Sequence, residues 1–174
     1  MIYIILYRPE KPSNVGNIMR TVSATDTKLI IIGPLSFSLT DKDLQRAGMD
    51  YLKTADFEIF DNYEKFCGVY GNRHIYYVTR YSKNLYSQVD YSDILEDVFL
   101  MFGRESSGIP HDILRKNIKD TIRIPMIPNA RSLNLSNCVA LVTYEVLRQR
   151  NFYSLATYEE IKGSDFLNEE IKND

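Results

Sequence analysis

Cysteine is scarce: Cys67 and Cys138 are the only two in 174 residues, and no C-x-x-C spacing occurs. That excludes a disulfide framework and a zinc site, fits a reducing compartment, and leaves both residues reading as core thiols. No metal-ligand cluster is visible, and His74 and His111 have no partner at a useful spacing. The apolar opening, residues 1–7, lacks a basic n-region, a cleavage-site pattern and the length of a membrane span. A soluble, cytoplasmic protein with no membrane attachment is expected. No G-x-G-x-x-G follows the first strand-like run, so a nicotinamide-type dinucleotide fingerprint is absent. Internal repeats and low-complexity segments are also absent.

What is present suffices for one core. With 44% hydrophobic residues over 174 positions, the chain can bury a single well-packed domain and is too short for two ordinary ones. A net charge of −2 does not mark a nucleic-acid binder. The charge is uneven, however: residues 151–174 hold six acids and two lysines, leaving +2 on residues 1–150 and room for a local basic surface. We divide the chain into a domain at 1–151 and an acidic tail at 152–174.

Short runs rich in β-branched and aromatic residues predict strands at 2–6, 29–32, 75–79, 99–102 and 121–124, with a weaker one at 57–60. Helical patterns fall between them at 17–24, 41–47 behind a Thr40/Asp43 capping box, 63–70, 111–117 and 136–149. In the last of these, Leu135, Cys138, Val139, Val142 and Val146 form one buried stripe. Alternation of strand and helix predicts an α/β fold, a mostly parallel sheet with helices on both faces, whose ligands bind beyond the carboxyl ends of the strands.

Three loops at such strand ends carry the polar residues. The first, 8–21, holds Asn14 and Gly16, suited to a tight turn. Free amides at the following helix start would receive phosphate or carboxylate, and Arg20 one turn inside the helix would offer a bidentate phosphate contact. The second, 102–110, follows an apolar run. There Gly103 would let a ligand approach the backbone, Glu105 and Gly108 bracket a polar turn, and Pro110 opens the next helix. The third, 124–137, leads into the last helix with Ser132, Asn134, Ser136 and Asn137 crowded at its start, more hydrogen-bonding groups than one cap requires. Each alone reads equally well as an ordinary surface turn.

Together the patterns N-x-G-N-I-x-R (Asn14 to Arg20), F-G-x-E-x-x-G-x-P (Phe102 to Pro110) and I-P-M-x-x-x-x-R-S-L-N-L-S-N (Ile124 to Asn137) resemble the three ordered motifs of the SPOUT methyltransferases of the TrmH-like class. The resemblance runs from Tyr3 to about Gln149. The opening Ile-Leu-Tyr-Arg-Pro-Glu, the segment from Leu44 to Tyr51 and Tyr144-Glu145 resemble its minimal members, the tRNA wobble-ribose 2′-O-methyltransferases of the TrmL type.

That resemblance implies a deep trefoil knot near the C-terminus, which general topology rules would not have suggested. It also implies a homodimer, with Tyr144 either at the dimer contact or in the core. S-adenosylmethionine would bind at Val78, Gly103, Ile124 and Ser132, with Leu133 also packing on adenine; similar proteins often have leucine at position 78. The reaction implied is 2′-O-methylation of cytidine or a modified uridine at wobble position 34 of tRNA, recognised through the anticodon stem-loop. Arg20, Glu105 and Asn134 would be catalytic; Asn14, Arg20 and Arg131 would hold substrate, and no metal is needed. Arg8, Lys42, Arg46 and Lys53 would add phosphate contacts or stay solvated. A guanidinium titrates above about 12, so Arg20 acts more readily as a phosphate clamp than as a base. Two alternatives stay open: another tRNA or rRNA 2′-O site, and a noncatalytic knotted RNA-binding module.

Overall fold

The computed structural model describes residues 1–38 and 54–168. The helix expected at 41–47, its Thr40/Asp43 box, the segment 44–51 and Lys42, Arg46 and Lys53 lie outside these residues. In chain order the elements are β1 (Ile2–Tyr7), α1 (Pro12–Thr25), β2 (Lys28–Ile32), β3 (Phe57–Phe60), α2 (Tyr63–Tyr70), β4 (Ile75–Val78), β5 (Val98–Phe102), α3 (His111–Lys116), β6 (Thr121–Ile122) and α4 (Leu135–Gln149).

The six strands lie in the order β3-β2-β1-β5-β4-β6, every neighbouring pair parallel. Parallel strands buried on both faces need apolar residues in both registers, which is why β2 reads Lys-Leu-Ile-Ile-Ile and β5 reads Val-Phe-Leu-Met-Phe. One face packs Ile4, Leu6, Leu29 and Leu100 against Ile18 and Met19 of α1 and Val139, Val142 and Val146 of α4. The other packs Ile5, Ile30, Phe99 and Met101 against Phe66 of α2 and Ile113 and Leu114 of α3. Helices therefore cover both faces, as the alternation predicts. Among the described residues no helix is long and apolar enough to cross a membrane.

Strand order changes direction at β1. The chain steps outward through β2 and β3, then returns to place β5 on the opposite side of β1, with β4 and β6 beyond it. Adjacent crossovers here leave in opposite directions and open a crevice at the strands' carboxyl ends. From edge strand β6 the chain crosses back to lay α4 beside α1 and against β1.

Beyond one-residue shifts at other ends, two boundaries and one cap differ from expectation. Helix α1 begins five residues early, because Pro12 occupies its first turn, where a missing N–H costs nothing. Asn14 and Gly16 thus sit inside the helix rather than in a tight turn, and Arg20 is its ninth residue, well past the first turn. Strand β6 stops at Ile122 because Arg123 turns to residues 84–86: its N–H donates to Asn84 O (2.8 Å) and its carbonyl accepts from Tyr86 N (3.0 Å). Pro110 caps α3 rather than opening it.

The segment 79–97 is fastened to the end of α4. Buried Arg150 donates through Nε to Tyr91 O (2.9 Å) and through Nη2 to Asp93 O (2.7 Å) and Glu96 O (2.8 Å). Gln149 takes the Tyr91 N–H (2.8 Å) and donates to Val89 O (3.0 Å). Phe152 and Leu155 pack partly against the core, whereas residues 156–168 are exposed. Arg150→Met keeps the aliphatic bulk and strands three carbonyls. We expect a loss on the order of 3 kcal/mol, read as a lower urea midpoint at unchanged slope.

Candidate functional site

At the crevice beside β1 and β5, a cavity of about 380 Å³ opens at the strands' carboxyl ends. Its walls come from the ends of β4 (Val78), β5 (Phe102 and Gly103) and the chain after β6 (Ile124, Met126), and from the polar turn into α4. The three motif loops meet there through one hydrogen-bonded chain of side chains. Asn14, almost fully buried on α1, donates through Nδ2 to Glu105 Oε1 (2.8 Å), and its Oδ1 accepts from Asn134 Nδ2 (2.9 Å). Asn134 caps α4, its Oδ1 accepting from the N–H (2.9 Å) and Oγ (2.7 Å) of Ser136.

Glu105 does more than face solvent. Its carboxylate also accepts from Glu10 N (2.8 Å) and Lys11 N (3.1 Å), at the start of a helix whose own N-cap residue supplies no side-chain bond. The anion expected at that helix start is therefore the protein's own. Glu10 answers by accepting from Ser106 N (2.9 Å) and Ser106 Oγ (2.7 Å). Those two bonds hold the Glu10 carboxyl below the ordinary carboxylate range, with Arg104 and Lys11 assisting. At the same junction Arg8 turns the chain off β1 with φ 49°, a left-handed strain of roughly 1–3 kcal/mol, while its N–H holds Ile32 O at 2.7 Å.

Gly103 is required by the close approach of the chain itself. A Cβ there would lie 2.2 Å from Gly108 C and from Ile109 N, so the second loop folds back onto its own strand end. Gly108 closes this turn at φ 72°, donating its N–H to Arg104 O (3.0 Å).

Of the residues singled out in the sequence, Val78, Gly103, Ile124 and Ser132 all line the cavity, as do Asn14, Glu105, Asn134 and Leu133. Arg20 and Arg131 are exposed and do not. Glu105 and Asn134 have their polar atoms engaged in joining the loops. The walls also include Thr79, Arg80, Tyr81, Lys11 and Arg104. Thr79 is the last residue of a predicted strand; Arg80 and Tyr81 escaped notice because 80–97 has no regular pattern, and their signal was their place directly after that strand. The three cations give the mouth a positive rim. Cys138 also lines the cavity, and burial pushes its thiol up. His74 pairs with Asp120 (Nε2 to Oδ1, 2.9 Å) away from the cavity, and His111 packs on Tyr81. Tyr144 lies on the exposed side of α4, not in the core. Among the described residues no group of three or more His, Cys, Asp or Glu could hold a metal ion.

Comparison with known proteins follows the same geometry. The model of the SpoU rRNA methylase family matches residues 1–144. A Listeria monocytogenes candidate tRNA (cytidine(34)-2′-O)-methyltransferase is 46% identical over 153 residues, covering 88% of this chain and 90% of its own. The Escherichia coli tRNA (cytidine(34)-2′-O)-methyltransferase is 39% identical, covering 87% and 96%. A structure solved for insight into 2-OH methylation of C/U34 on tRNA superposes with a TM-score of 0.79 at 33% identity, covering 87% of this chain and 97% of its own. An AdoMet-bound rRNA methyltransferase from Sinorhizobium meliloti gives 0.75 at 25% identity, covering 84% of this chain and 56% of its own.

Because the gap at residue 103 is filled by backbone, Gly103→Ala should destabilise the fold by roughly 1–3 kcal/mol. Chemical denaturation checks this; an unchanged midpoint would show that the loop can swing free of the strand.

Proposed function

The chain belongs to the SpoU methylase family, and from that premise we propose that it methylates the ribose 2′-oxygen of cytidine or a modified uridine at wobble position 34 of tRNA, with S-adenosylmethionine as donor. The observation that carries this reading is the meeting of the three motif loops at one cavity through Glu105, Asn14 and Asn134. Relatives named for this reaction are similar to this chain over 90% and 96% of their own length.

The cavity fits the cofactor. Its volume lies within the range of small-molecule sites, its walls at Val78, Ile124 and Leu133 are apolar, and Gly103 and Ser132 offer polar contacts beside them. When bound, S-adenosylmethionine supplies the electrophilic methyl group. The knot implied by the family would form here, where the chain after β6 meets the loops following β4 and β5 at the cavity.

The ribose hydroxyl is a poor nucleophile, and the chain's task is to orient it and disperse its proton. Arg20 is assigned the phosphate beside the target ribose, as a bidentate clamp with a secondary part in proton handling. It lies outside the cavity of its own chain, so we assign it to the cavity of a second copy in a homodimer. The outer stripe of α4, where Leu141 is 44% and Tyr144 47% exposed, is the apolar surface available for that pairing. Arg131 and the Lys11, Arg80 and Arg104 rim would track the anticodon stem-loop. Glu105, Asn14 and Asn134 hold the loops that carry these groups. The acidic tail is left outside the catalytic unit, and a cytoplasmic location follows from a tRNA substrate.

The test is transfer of label from S-adenosylmethionine to tRNA lacking wobble-ribose methylation, followed by nucleoside mapping. Label on the 2′-oxygen of position 34 is expected; its absence despite cofactor binding would overturn the proposal. Arg20→Ala should abolish transfer while calorimetric cofactor affinity stays within a few fold, and a fully active variant would remove Arg20 from the mechanism.

A further inference from the structure

Beside the main cavity lies a second of about 260 Å³, and the two share the walls Thr79 and Tyr81. Its remaining surface is largely aliphatic, with Leu114 nearly buried and Ile118 68% exposed. It is smaller than the usual range for a second small-molecule site, about 300–1,000 Å³. The size suits a single ring system.

Tyr81 separates the two spaces. Its ring is 67% exposed, yet it is steadied by the His111 ring, perpendicular to it at 89° with centroids 5.3 Å apart. An exposed aromatic ring held in place from one side is the form of a base-stacking platform. The surrounding charge suits a polyanion. Arg115 lines the cavity, Arg80 adjoins Tyr81 on the main one, and residues 112–120 carry Arg115, Lys116 and Lys119 against Asp112 and Asp120.

We infer that this second cavity receives the base of a nucleotide flanking the one whose ribose enters the main cavity, stacked on Tyr81 over Leu114 and Ile118, with Arg115 on the backbone phosphate. This rests on the proposed RNA substrate and deepens it. Continuity is the argument for an RNA base over any other occupant: neighbouring nucleotides of one strand need neighbouring sites, and Tyr81 belongs to both.

The chain contains no tryptophan, so Tyr81→Trp places the one indole at this position, and it can be excited beyond the absorption of the twelve remaining tyrosines. Wild-type protein is first assayed for methylation of an anticodon stem-loop RNA, which judges the proposed substrate by itself. With an RNA that is methylated, the Tyr81→Trp emission should be quenched on binding, and the quench should be lost when the base 5′ or 3′ of the target is replaced by an abasic nucleotide. No quench, or a quench indifferent to both replacements, overturns the inference while leaving the substrate assignment intact. In parallel, Tyr81→Ala and Ile118→Glu should weaken RNA binding between about five- and a hundred-fold, with Tyr81→Phe close to wild type. Equal loss in Tyr81→Phe would point to the hydroxyl and against stacking.

Discussion

The buried carboxamide of Asn14 is the joint on which the site depends. It is one of few polar side chains in the core, and it meets Glu105 on one side and Asn134 on the other, partners 91 and 120 positions away in sequence. A buried amide left without partners costs far more than a made hydrogen bond returns. The three loops are therefore stable only in one mutual arrangement. Glu105 adds to the constraint by capping α1, and Glu10 closes the loop pair from the other direction through Ser106. The rigidity of the cavity's polar side is thus a product of satisfied valences rather than of packing alone.

The sheet order supplies the setting. With β5 placed against β1 and β4 beyond it, the loops after β1, β4 and β5 and the chain after β6 all reach the same edge. One crevice then collects apolar walls from strand ends and polar groups from loops. The return of the chain from edge strand β6 to α4 passes over that crevice, and the Arg150 fastening of segment 79–97 ties its far side to the same helix. Nothing at this edge belongs to a single stretch of sequence.

That explains which parts could be read in advance. The six strands, four of the helices and the two-faced burial follow from local composition and periodicity, and the motif residues Val78, Gly103, Ile124, Ser132 and Asn134 do meet at one cavity. What could not be read was set by distant partners. The carboxylate that takes the amides ahead of α1 comes from Glu105, the short β6 depends on the claim of residues 84–86 upon Arg123, and the reason for Gly103 lies in the Gly108–Ile109 peptide. Arg20 is expected one turn into its helix because that helix is started too late; on the completed helix it is the ninth residue and exposed. Tyr81 went unnoticed because an aromatic residue in an irregular segment has no local pattern to mark it.

The borrowed cap on α1 also imposes a timetable. Glu10 and Lys11 must wait for a carboxylate that lies 95 and 94 residues further along. At synthesis rates of about 5–20 residues per second, the helix emerges roughly 5–20 seconds before its cap does. During that interval Asn14 and the amides ahead of α1 bond water instead of their final partners, and the crevice cannot take its final shape. The nascent chain therefore has no working site to offer RNA or cofactor until the last helix has arrived.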